Sequence, residues 1–265
     1  MQAPFADPLS GLEQLNKALP LVGRDIEMQL IRVLLDTVAL DRLAGPRALT
    51  ITGDIGVGKS RLLAEIITEA CSRNFRILEA RTYEPGKMFP YLPFIEALRP
   101  VICSSPPEQL RRYLGLDSDE HETLTTHAGK NTPIETISHV GAPLVSTLAR
   151  LFPDLPRKLH VTPIQEDRHK AQSLHVDPDQ EKFHLFDAIA TFLERMALEC
   201  PVLLSIDNLQ WADSASLELT MYLTVRLQNS QIALVGVTRP PGTLNEPTED
   251  PDRVVSVTTA SRCLL

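Results

Sequence analysis

The run Gly53-Asp54-Ile55-Gly56-Val57-Gly58-Lys59-Ser60 holds residue types, at the right spacing, for gripping phosphate. Its glycines free the backbone to curl, so that successive N–H groups point inward at phosphate oxygens. Lys59 brings a cation to the β and γ phosphates, and the Ser60 hydroxyl is placed to ligate Mg²⁺. Every fixed position of the pattern Gly-x4-Gly-Lys-Ser is met. A loop of this kind also needs a carboxylate at the end of a buried strand, to orient the metal through water. Val202-Leu203-Leu204-Ser205-Ile206-Asp207 supplies one. The chemistry these residues could do is Mg²⁺-assisted binding of a nucleoside triphosphate, with phosphoryl transfer to water as the reaction it permits.

Such a loop works only between a strand and a helix. Residues 48–52 (Ala-Leu-Thr-Ile-Thr) read as a short buried strand directly before it, and helical periodicity returns over 62–71. Upstream, from 25 to about 43, Leu30, Ile31, Leu34, Leu35 and Val38 form the stripe of an amphipathic helix that Gly45-Pro46 ends. Further strands are predicted at 75–80, 202–206, 232–237 and 254–257. Helices are predicted at 217–227, with Asp213 as N-cap, and at 181–199, with Phe186, Ile189, Leu193 and Met196 on one face. Strands alternating with helices predict an α/β fold, a five-stranded parallel sheet flanked by helices. The domain map that follows is a loose tail at 1–20 and one domain over 21–265. It carries a poorly patterned insertion at about 104–180, expected to be partly helical and to lie over the nucleotide face, or to be partly disordered.

That insertion is rich in Pro, Ser, Thr and Asp and holds all but one of the seven histidines, yet no two lie three to five apart and no cysteine is interleaved. The spacing of a zinc site is lacking. With 26 basic residues against 34 acidic the net charge is −8, which argues against binding nucleic acid through its phosphates. The four cysteines are far apart and no disulfide framework is expected. The N-terminus lacks the basic start and apolar stretch of a signal peptide, and no apolar run approaches the ~20 residues of a membrane helix. A soluble, cytoplasmic protein with no membrane partner is expected.

Four segments occur in a telling order: Leu21-Val22-Gly23-Arg24-Asp25, the glycine loop, Asp207-Asn208-Leu209-Gln210-Trp211-Ala212-Asp213, and Val235-Gly236-Val237-Thr238-Arg239. Together with Thr82-Tyr83-Glu84 and Pro90-Tyr91-Leu92-Pro93-Phe94, they resemble the AAA+-like P-loop NTPase module of STAND-class ATPases. That module occurs in large LuxR-type regulators, in signalling proteins and in origin-recognition-type AAA proteins. The resemblance implies ATP with Mg²⁺ as cofactors, and ATP over GTP since no Asn-Lys-x-Asp motif occurs. By resemblance Val22, Gly23 and Arg24 lie against adenine and ribose. Gly53, Asp54, Ile55, Gly56, Val57, Gly58, Lys59, Ser60 and Arg61 hold the phosphates, Ser60 and Asp207 hold the metal, and Arg239 senses the γ-phosphate beside catalytic Asp207.

Two departures bear on activity. Asn208 stands where many relatives carry a second acidic residue, and a neutral amide positions water without taking its proton. The sequence also stops at Cys263-Leu264-Leu265, where relatives continue into a helical lid carrying a further arginine. The expected function is a signalling or regulatory switch that binds Mg-ATP and hydrolyses it slowly, with self-association or a regulatory protein as partner. The competing reading is a non-hydrolysing, nucleotide-dependent scaffold, or a fragment of a larger regulator.

Overall fold

The computed structural model describes residues 23–40, 46–84, 89–116, 142–161, 178–240 and 256–259. Helix α1 (Asp25–Ala39) forms because Met28, Ile31, Leu34, Leu35 and Val38 recur at helical spacing and are all buried. Asp25 and Glu27 sit in its first turn, where the helix dipole favours negative charge. Leu30, part of the predicted stripe, is 39% exposed and lies off the buried face.

After α1 come β1 (Ala48–Thr52), α2 (Lys59–Ser72) and β2 (Arg76–Arg81). Further along are β3 (Val202–Asp207), a 3₁₀ turn (Leu209–Trp211), a helix at Ser214–Arg226 and β4 (Ile232–Thr238). The last strand, β5, is Ser256–Thr259. The sheet order is β2-β3-β4-β1-β5. Strands β2, β3, β4 and β1 are parallel, with Arg81 opposite Asp207 and Thr52 opposite Thr238, so their C-terminal ends share one edge.

The sheet is therefore not the all-parallel five-stranded one expected. Four strands are parallel and β5 runs antiparallel to β1, with Thr52 opposite Ser256 and Leu49 opposite Thr259. A parallel fifth strand needs a crossover back to the far end of the sheet, usually through a helix. The sequence between β4 and β5 holds Pro240, Pro241, Gly242, Pro247 and Pro251, a composition that opposes a helix. An edge strand that starts at the loop end and runs downward needs no crossover.

Both faces of the parallel strands are covered. On one, α1 and α2 pack on Leu49, Ile51, Leu203, Ala233, Val235 and Val237. On the other lie Leu78, Ala80, Leu204, Ile206, Ile232 and Leu234 under the remaining helices. These are α3 (Leu92–Ser104), α4 (Pro107–Leu114), α5 (Ala142–Ala149), α6 (Leu155–Lys158), α7 (Pro178–Ala197) and α8 (Ser214–Arg226). In α7, Phe186, Ile189, Leu193 and Met196 are buried as predicted.

The described parts of 104–180 belong to this second core, through Leu110, Tyr113, Leu114, Val145, Leu148, Phe152, Leu155 and Leu159. Lys158 in α6 donates to the carbonyls of Ile102 and Cys103, both at 2.6 Å, and so caps the C-terminus of α3. Helix α4 is fixed at the end of the sheet away from the glycine loop. There Glu199, just past α7, accepts hydrogen bonds from Tyr113 at 2.5 Å, Gln109 at 2.8 Å and Arg112 at 3.0 Å, and pairs with Arg76 at 3.6 Å. Burial alone pushes this carboxyl up, but the bonds from Tyr113, Gln109 and Arg112 outweigh it and hold it at about 2, against the usual 4.5.

A folded-state value below the unfolded one gives stability that is full above the unfolded pKa and is lost as pH falls through the folded one. Glu199→Gln should therefore cost about 1 kcal/mol at pH 7, modest because the group is part-exposed. In urea melts, the gap from the parent chain should shrink as pH drops below 4.5. A gap independent of pH would show that the network does not depend on the ionised carboxylate.

Candidate functional site

Strand β1 hands directly into the glycine loop, and α2 starts at Lys59. Gly56 has φ +82° and Gly58 φ +93°, left-handed backbone that costs an L-residue with a side chain roughly 1–2 kcal/mol. A Cβ at either would meet nothing within 4 Å, so the backbone conformation demands glycine here and crowding does not. Gly58 caps α2 without a side-chain hydrogen bond, and the helix opens toward the loop with no acidic residue in its first turn. A helix N-terminus left in that state favours anions.

The Lys59 ammonium folds back on the loop, donating to the carbonyls of Gly53 at 2.7 Å and Asp54 at 2.6 Å. Its pKa is lowered, first by burial and then by the positive charge of Arg239, while Asp207 and Asp54 oppose the shift. Residues far apart in sequence thus act electrostatically on one ammonium. Ser60 is exposed beside it. Arg61 points along α2 to Glu65, 3.4 Å away.

Asp207 ends β3 and is 3% exposed. Its Oδ1 accepts the Asn208 backbone N–H at 2.9 Å, and its Oδ2 faces Arg81 Nε at 3.4 Å. Sequence reasoning missed Arg81. The signal lay in the strand register, which sets the last residue of β2 opposite the last residue of β3. Thr82 clamps the same turn: its N–H and its hydroxyl both donate to the Asp207 carbonyl, at 3.0 and 3.1 Å, and the hydroxyl also donates to the Asn208 carbonyl. Asn208 is left-handed at φ +62°, a conformation asparagine tolerates better than most residues.

Two further segments reach this edge. Arg24 donates to the Val57 carbonyl at 3.0 Å and to Glu27 at 2.9 Å, joining the start of α1 to the glycine loop. Gly23 precedes it at φ +72°, and Val22 lies outside the described residues. Past Asn208, Leu209 packs over β4, where a Cβ on Gly236 would come within 2.4 Å of its Cδ1. Asp213 caps α8 as expected, its Oδ1 accepting the Ser216 N–H at 2.9 Å. The structure thus brings Arg24, Lys59, Asp207 and Arg239 to one edge of the sheet. Among the described residues no helix is long and apolar enough to cross a membrane.

A family model described as the AAA ATPase domain matches residues 20–237. The match spans the glycine loop, Asp207 and all four parallel strands but for the last residue of β4, and it stops just short of Arg239. No curated protein matches the chain.

The charges around Lys59 yield a direct check. Arg239→Ala removes one of the two influences that lower the Lys59 pKa, so the ammonium should titrate closer to its ordinary 10.5. NMR of reductively ¹³C-methylated protein reads this upward shift. An unmoved Lys59 titration would separate Arg239 from the loop.

Proposed function

Because this chain belongs to the AAA ATPase domain family, we propose that it binds Mg-ATP at the glycine loop and hydrolyses it slowly, as a STAND-class regulatory switch. The observation that carries this reading is the partly buried Lys59 ammonium, held in the loop under the influence of Asp207 and Arg239. The residues fit the nucleotide. Beyond the adjoining residues nothing lies within 4 Å of where side chains would begin at Gly56 and Gly58, which leaves the loop open on that side. In the proposed complex the loop amides surround the phosphates, and Lys59 exchanges the Gly53 and Asp54 carbonyls for β and γ oxygens. Ser60 and Asp207 take the metal, with Arg81 steadying the second oxygen of Asp207. Arg239 senses the γ-phosphate. Gly23 and Arg24, with Val22, border the base and ribose, and Asp54, Ile55, Val57 and Arg61 complete the loop and first turn.

Slow turnover follows from the turn after β3. Asn208 can orient a water but cannot take its proton. The same fact supports the second reading, a nucleotide-dependent scaffold without turnover. In either case ATP or ADP occupancy would govern self-association or contact with a regulatory protein in the cytoplasm, without nucleic acid or membrane.

Two variants test the binding site. Lys59→Ala removes a charge-assisted contact of ~1.5–3 kcal/mol, so Mg-ATP affinity by titration calorimetry should fall roughly ten- to a hundredfold. Equal affinities for variant and parent would refute the assignment of the loop. Arg239→Ala should weaken ATP binding and leave ADP affinity nearly unchanged. Equal losses for both nucleotides would remove Arg239 from the γ-phosphate.

A further inference from the structure

Helix α1 has an apolar flank that the core does not use. Ile26, Leu30, Val33 and the C-cap Leu40 are 75%, 39%, 49% and 60% exposed. They recur at spacings of four, three and seven, the seam of a helix that packs along another helix. The flank turned toward α2 is polar and already committed. There Arg32 pairs with Glu69 at 3.7 Å and Asp36 with Arg73 at 2.6 Å. Thr37, inside the apolar seam, is buried, and its hydroxyl donates to the Val33 carbonyl at 2.8 Å, so it adds no unmet polar group. Single exposed aliphatic side chains are ordinary, but four in register on one flank form a bed for a partner.

We propose that the partner is the chain's own segment 10–19, folded as a helix and lying antiparallel along this flank. These residues lie outside the described ones, and their sequence carries the signals. Ser10 with Glu13 forms a capping box, and Pro20 ends the helix. Leu12, Leu15 and Leu19 share one face, with Glu13, Gln14, Asn16 and Lys17 elsewhere. A helix this short is marginal in water on its own, which is why composition alone gives a loose tail. Two features fit it to α1. Read backwards, Leu19, Leu15 and Leu12 step by four and three, as Ile26, Leu30 and Val33 do forwards. An antiparallel pair therefore sets 19 against 26, 15 against 30 and 12 against 33. The five residues 20–24 between the two helices suffice for the turn of an αα-hairpin. A second copy is a poorer occupant. Four part-exposed aliphatic side chains fall well short of the ~800 Å² per partner of a standard interface, whereas a tethered segment loses no translational freedom on docking. The hairpin holds its turn from both sides, and Arg24 in that turn donates to the Val57 carbonyl of the glycine loop. The docking stands independently of any bound nucleotide.

Hydrogen–deuterium exchange of the full chain, read by mass spectrometry, tests this. The backbone amides of 14–19 should exchange at least about tenfold more slowly than the unstructured rate. Val33→Asp puts a charge into the seam and should return them to within about twofold of that rate, while β1, β3 and β4 stay as protected as in the parent. A second measurement reads the cover directly. With Val33→Cys, labelling at position 33 by a thiol reagent, followed on its own peptide, should speed up about tenfold when Leu15→Asp is added. Amides of 14–19 that exchange at the unstructured rate in the parent would overturn the proposal. Protection that survives Val33→Asp, or labelling at position 33 that Leu15→Asp leaves unchanged, would do the same. A dimer by light scattering that turns monomeric with Val33→Asp, while 14–19 exchange as before, assigns the flank to a second copy and also overturns it. If Val33→Asp does not fold, the labelling comparison decides alone, since Val33→Cys is a mild change at an exposed position and Leu15→Asp lies in the segment itself.

Discussion

The charge balance on the Lys59 ammonium exists only because three separate stretches of chain meet at the same edge of the sheet. Its own loop supplies two carbonyls, β3 brings Asp207, and the residue after β4 brings Arg239. Burial and the Arg239 charge work against the ammonium, while Asp207 and Asp54 work for it. That balance depends on the parallel register of β3, β4 and β1, because a slip of one residue would turn Asp207 toward the other face of the sheet. The buried faces enforce the register. Along β4, Ile232 and Leu234 go to one core while Ala233, Val235 and Val237 go to the other.

The two ends of the sheet carry different kinds of polar network. At the end away from the loop, the Glu199 carboxylate is ringed by donors from α4, and the arrangement fastens α4 to α7 and β2. At the loop end the polar groups are only partly committed to one another. Asp207 gives one oxygen to a backbone N–H and turns the other to a half-exposed arginine, and Gln210 keeps a buried oxygen with no described donor.

What was legible in the sequence was what neighbours in sequence decide. The glycine loop between β1 and α2, the carboxylate closing β3 and the Asp213 cap each follow from local spacing, and each stands where expected. What was missed depends on distant pairing. Arg81 meets Asp207 only through the β2–β3 register. Helix α3 starts at a left-handed Tyr91 without a side-chain cap and carries Pro100 inside it, so the usual signals of a helix are weak despite Pro93 in its first turn. The direction of β5 was illegible because side chains alternate in the same way in parallel and antiparallel strands. Asn208 was read for its amide, and the structure adds its left-handed backbone, which restricts what can replace it.

The proposed switch turns on a chain that holds Mg-ATP firmly and cleaves it slowly. Phosphate release from pre-bound, radiolabelled Mg-ATP, with the chain in excess, measures both properties in one experiment. Saturable binding with turnover slower than about one per minute is predicted, since nothing assigned to the site takes a proton from water. A rate near ten per second, roughly the median for enzymes, or the absence of saturable Mg-ATP binding would contradict it.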